Sequence, residues 1–116
     1  MTWQTLVSAE QVADRLGDPP LLVFDCRYEL ARPEAGREAY LRGHLAGAIH
    51  ADLHHDLAGP TSPTSGRHPL PDPQVFAARL QRWGVADDSL LLAYDDATSM
   101  WASRFWWMTA KWLGHR

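Results

Sequence analysis

Two five-residue runs limit the folds open to this chain. Leu21-Leu22-Val23-Phe24-Asp25 and Leu90-Leu91-Leu92-Ala93-Tyr94 are mostly apolar, too short for helices, and do not alternate polar with apolar. Runs of this kind fit strands buried on both faces, the pattern of a parallel sheet covered by helices. The segments between them carry helix signals. Ser8 with Gln11 three residues on is a capping-box pattern, opening a helix to about Leu16 that Gly17-Asp18-Pro19-Pro20 stops. Ala35 to Leu41 reads as a short helix ended by Gly43. Asp72 is a good N-cap, with Pro73 at the first helical position. Val75, Phe76, Ala78, Leu80 and Trp83 then make an amphipathic helix that closes at Gly84. Leu6-Val7 and Ala48-Ile49-His50-Ala51 are weaker strand candidates. Strands alternate with helices, so the expected class is α/β with a mostly parallel sheet.

The chain has 116 residues, enough for one domain, and at 46% hydrophobic it can bury a core. Its net charge of −3 is not gathered into blocks, which excludes a basic stripe for nucleic acid. It has no apolar run long enough to span a membrane and no signal-peptide pattern in residues 1–20, so a cytoplasmic protein is expected. The single cysteine, Cys26, excludes an internal disulfide. It ends an apolar strand and reads as a packed core thiol. Four of the six tryptophans fall between Trp101 and Trp112, in a helical pattern from Met100 to Leu113 that Gly114 can end. A helix apolar around so much of its circumference is expected to lie between other elements.

The chemistry concentrates where strand 90–94 meets this helix. A strand–loop–helix corner aims backbone N–H groups at one spot and suits an anion. Here the loop carries Asp95 and Asp96. Carboxylates repel an anionic substrate and cannot serve as a thiolate, so the loop has the form of a catalytic corner without its catalyst. The polar stretch from Asp52 to Pro71 is long enough to suggest a functional loop. His50, Asp52, His54, His55 and Asp56 cluster locally, but the segment reads as strand then loop, and a metal site is not expected.

Taken in order, several motifs resemble the rhodanese superfamily, and within it the N-terminal half of the tandem-domain sulfurtransferases that use thiosulfate or 3-mercaptopyruvate. They are Val7-Ser8-Ala9-Glu10-Gln11-Val12, Phe24-Asp25-Cys26-Arg27, Gly43-His44-Leu45-Ala46-Gly47-Ala48, Gly66-Arg67-His68-Pro69-Leu70-Pro71, and Ala93-Tyr94-Asp95 followed by Arg104-Phe105-Trp106-Trp107 and Trp112-Leu113-Gly114-His115. The resemblance implies a rhodanese-like parallel sheet flanked by helices over residues 1–116, stopping before the family's last strand and helix. It implies sulfane-sulfur transfer from a small-molecule donor to a thiophilic acceptor such as cyanide or a thiol, with no cofactor. The persulfide cysteine would lie in a C-terminal rhodanese domain, and Asp95 or Asp96 would mark the silent position of this half. His68 would face that cysteine and take part in proton transfer. Asp52 would support it, although His54 stands where the family's aspartate is aligned, which favours thiosulfate over mercaptopyruvate. Arg67 could hold an anionic substrate. Asp25, Arg27 and His44 are expected to be structural, with Gly43 and Gly47 supplying backbone freedom. The alternative is a catalytically inactive rhodanese-like module used for binding or regulation.

Overall fold

A computed structural model describes residues 6–115. Three parallel strands form the sheet, β1 (Leu21–Asp25), β2 (Ile49–His50) and β3 (Leu90–Tyr94), in the order β2–β1–β3. β1 pairs with β3 along its whole length, from Leu21 opposite Leu90 to Asp25 opposite Tyr94, and with β2 at Phe24–Ile49 and Asp25–His50. The helices are α1 (Ala9–Arg15), α2 (Ala35–Arg42), α3 (Pro73–Arg82) and α4 (Ala102–Trp106), the last continuing as π-helical turns over Trp107–Trp112. No helix among the described residues is long and apolar enough to cross a membrane.

Local signals in the sequence explain the helix starts. Ser8 accepts the Gln11 N–H at 3.2 Å while the Gln11 side chain accepts the Ser8 N–H at 2.8 Å, a complete capping box. Asp72 accepts the Gln74 N–H at 2.8 Å at the head of α3. In the last helix, the Thr109 hydroxyl donates to the Phe105 carbonyl at 2.9 Å, and the Leu113 N–H reaches back five residues to Met108.

Period-two alternation along β1 divides the packing. Phe24 and, beyond it, Cys26 enter the larger core with Phe76, Leu80, Phe105 and Met108 from α3 and the last helix. Leu21 and Val23 face a smaller cluster with Ala48 on the other side of the sheet. Phe24 anchors the first face, 4.6 Å from the Phe105 ring centroid and 5.5 Å from that of Trp83. Burying each such side chain contributes about 1.5–3 kcal/mol, so the three fully buried phenylalanines, Phe24, Phe76 and Phe105, dominate the core.

Four expectations are corrected. Leu6 and Val7 form no strand. They line a groove of about 690 Å³ together with β3 and make no ladder with it among the described residues. Among the described residues β3 is at the edge of the sheet, and it is only half-buried at every residue, because the same groove leaves one side uncovered. The last helix is not covered all round: Met100, Trp106 and Trp107 are exposed while Phe105 and Met108 are buried. Val75 of α3 also faces solvent, leaving Phe76 and Leu80 as its buried residues.

Candidate functional site

The C-terminal ends of the strands converge on two neighbouring arrangements. The first is a polar girder. Asp25 is fully buried, and its carboxylate accepts from the Arg27 guanidinium at 2.7–3.1 Å and from the Tyr94 hydroxyl at 3.1 Å. Arg27 also donates to the Gly43 carbonyl at 2.7 Å, and Tyr94 accepts the Leu45 N–H at 3.1 Å. The girder ties β1, β3 and the turn after α2 together, which is the structural role expected for Asp25 and Arg27. In that turn His44 stacks on Tyr40 with centroids 3.8 Å apart. Gly47 has φ of +79°, where a side chain is disfavoured. Gly43, at φ of 172°, is ordinary extended backbone and needs no glycine on that ground.

The second arrangement is the loop after β3. Asp95 fills it with its own carboxylate. Oδ1 accepts the N–H groups of Ala97 and Ser99, each at 2.9 Å, and Oδ2 accepts those of Trp101 and Ala102, each at 2.8 Å. Thr98 and Ser99 both adopt positive φ, 52° and 68°, to turn these donors inward. Burial works against ionisation of Asp95, but the four N–H bonds prevail and hold its pKa below the usual carboxylate range. Asp96, beside it, is exposed and does not enter the cradle. The corner therefore binds an anion, as expected of its shape, and that anion is internal.

Cys26 is not a reactive group here. It is 1% exposed, and burial, followed by the charges of Asp25, Asp95 and Asp56, pushes its thiol well up. A thiol so held stays protonated and inert.

His68 lies on the long loop, which carries no helix or strand from Asp52 to Pro71. The loop is closed at its neck by the Gly59 N–H bonded to the Pro69 carbonyl at 2.9 Å. Arg104 of α4 clamps it, donating to the carbonyls of Leu57, His68 and Pro69 at 2.7, 2.9 and 3.2 Å. The imidazole packs edge-on against Tyr28, and its Nε2 lies 3.3 Å from the Tyr28 hydroxyl. Burial, then His54, Arg104 and Arg67, lower the His68 pKa against the opposing charge of Asp52. These surroundings favour the neutral imidazole.

Asp52 is 5% exposed, and its carboxylate caps the following turn by accepting the His55 N–H at 2.8 Å. Its charge is felt by both His68 and Tyr28, so it belongs to the same neighbourhood without a direct bond to the imidazole among the described contacts. Arg67 is exposed next to His68. Of the other members of the local histidine cluster, His54 stays close, its ring 5.0 Å from that of His55 and edge-on 6.0 Å from that of His68. His50 is buried against the Arg27 carbonyl, whereas His54 and His55 are exposed. Among the described residues no three His, Cys, Asp or Glu side chains are grouped to hold a metal.

Sequence reasoning assigned no role to Tyr28 or Arg104. Each meets the His68 loop across 35 or more positions, as in the Tyr28–His68 pair separated by 40, and no local spacing signals such contacts.

A parallel sheet flanked by helices, with a backbone N–H cradle at the corner after its third strand, places the chain among the α/β domains. Residues 8–116 match the model of the rhodanese-like domain, and the chain belongs to that family. It is 45% identical over its full length to a probable 3-mercaptopyruvate sulfurtransferase of Pseudomonas aeruginosa, covering 41% of that protein. It is 36% identical to a putative thiosulfate sulfurtransferase of Mycobacterium tuberculosis, over 90% of this chain and 37% of that protein. Among solved structures, the 3-mercaptopyruvate sulfurtransferase of Leishmania major superposes with a TM-score of 0.80 at 33% identity, over 88% of this chain and 28% of that one. The chain thus spans about two fifths of the length of these curated relatives.

Proposed function

We propose that this chain is the non-catalytic N-terminal domain of a tandem-domain sulfurtransferase. In the whole protein a cysteine thiolate from a C-terminal rhodanese domain takes sulfane sulfur from thiosulfate or 3-mercaptopyruvate and passes it to cyanide or another thiol. One observation carries this reading: the Asp95 carboxylate occupies the N–H cradle that a thiolate or persulfide would need, so this half cannot hold one. His68 serves proton transfer, tuned by Asp52, and Arg67 offers a cation to the anionic donor. The half-covered β3 and its groove support a further strand of the same protein packing there. The unpaired thiol of Cys26 is compatible with the cytoplasm.

The test is sulfur transfer to cyanide from both donors, using purified residues 1–116 beside a Cys26→Ser control and the whole protein. Folded 1–116 is expected to be inactive, and the whole protein active with at least one donor. Activity in 1–116 that disappears in Cys26→Ser would make Cys26 the nucleophile and overturn the proposal. A folded but inactive whole protein would favour a binding or regulatory module instead.

A further inference from the structure

Tyr28 has no part in the reading above, yet its hydroxyl is the single side-chain partner of His68 among the described hydrogen bonds. The ring is 6% exposed and cannot swing freely. It is wedged edge-on between Trp101, at 5.3 Å, and His68, at 5.6 Å between centroids. The backbone before it is held by the Arg27–Asp25 girder. The hydroxyl, in a part-buried pairing, has one proton to donate and seeks an acceptor for it. Among the described residues the one acceptor within reach is Nε2 of His68. If Nε2 carried the proton, the imidazole would donate to the phenol, and the hydroxyl's own proton would have no protein acceptor among the described residues.

The geometry points to Tyr28 as a positioning residue for His68: its hydroxyl donates to Nε2, fixing the neutral imidazole in the form that carries its proton on Nδ1. This inference rests on the proposed proton-transfer role of His68 for its functional meaning, though the pairing itself does not. Nδ1–H is then the polar edge that His68 presents away from Tyr28. The surroundings favour the same state. Burial keeps the phenol protonated, with Asp52 acting in the same sense and Arg67 against it. The charged and titratable groups facing His68 come from three places: Asp52, His54 and Arg67 on its own loop, Arg104 of α4, and Tyr28 after β1. A hydrogen bond donated to the neutral imidazole opposes its protonation. Removing the hydroxyl is therefore expected to raise the His68 pKa by about half a unit to one unit, the worth of one such bond.

The experiment is long-range proton–nitrogen correlation of the imidazoles in 15N-labelled residues 1–116 across pH, with His68→Asn to identify His68 among the six histidines. Wild-type His68 should show protonated Nδ1 and an accepting, unprotonated Nε2. Tyr28→Phe keeps the ring that packs on Trp101. It should shift His68 toward the Nε2–H form and move its titration upward. A wild-type His68 with its proton on Nε2 overturns the inference, and that observation needs no variant. An unchanged tautomer and titration in Tyr28→Phe also overturns it. Sulfur transfer by the whole protein separates this inference from the functional proposal. Full activity in His68→Asn would remove the proton-transfer role while leaving the Tyr28 pairing intact. Loss of activity in His68→Asn, together with a tautomer indifferent to Tyr28, would remove the pairing alone.

Discussion

Asp95→Ala tests whether one carboxylate organises the loop between β3 and α4. Asp95 receives four backbone N–H groups, and they are unequal. Oδ1 has an exposed donor, Ser99, beside the half-buried Ala97, so water can enter on that side and replace the carboxylate there. Ala102 is buried and Trp101 half-buried, so their two bonds at 2.8 Å are not readily replaced. Bonds to a charged acceptor contribute about 1.5–3 kcal/mol each, and taking the low end for these two gives about 3 kcal/mol. Relaxation of the positive φ angles at Thr98 and Ser99 offsets part of this, since each costs on the order of 1 kcal/mol. The expected net loss is about 2 kcal/mol, or roughly 8 °C in Tm at about 4 °C per kcal/mol for a domain of this size. Urea denaturation and thermal melts of both proteins measure it. The pH dependence adds a signature. A depressed folded-state pKa means the Asp95 contribution is complete above the usual carboxylate pKa. It is lost as pH falls through the depressed value. The gap between wild type and Asp95→Ala should therefore be full at neutral pH and close in acid. A gap below about half a kcal/mol at pH 7, or one unchanged in acid, refutes the cradle as a source of stability.

Three further outcomes follow from the same geometry. Asp95→Cys sets a thiol beneath the four N–H donors, and its pKa should fall below the ordinary value of about 8.5, read from thiolate ultraviolet absorbance against pH; an ordinary or raised value would mean the donors no longer converge. Gly36→Ala should destabilise strongly, by about 3 kcal/mol or more, because a Cβ there would overlap the backbone carbonyl of Arg27 and push α2 off the end of β1; an unchanged melt would contradict that packing. The Cys26 thiol should ignore a disulfide reagent such as Ellman's in the native protein and react fully in denaturant, and rapid native labelling would contradict its burial.

Much of the architecture was legible because it is written in local patterns. Ser8 with Gln11 and Asp72 with Pro73 announce helix starts through bonds a few residues long, and both caps form as expected. The run Leu21–Phe24 is apolar because both faces of the central strand are covered. The same logic overreached at β3, whose equally apolar run is only half-buried. Composition records what a strand can bury, whereas burial depends on what packs beside it. Leu6-Val7 failed for the related reason that a strand exists only with a partner.

The candidate site divides along the same line. The sequence by itself placed a carboxylate where a strand, a loop and a helix meet, excluded a thiol there, and put a histidine on a long loop. Those inferences need only residue identity and short-range periodicity. Tertiary structure alone decided that Asp95 turns into the cradle while Asp96 faces water, that Cys26 is sealed in the core, and that Arg104 and Tyr28 hold His68. The physical reason is range. Caps and helix faces are set by neighbours within a turn, but the polarity and protonation of a buried group are set by whatever folding brings within a few ångströms. For His68 those partners come from distant parts of the chain.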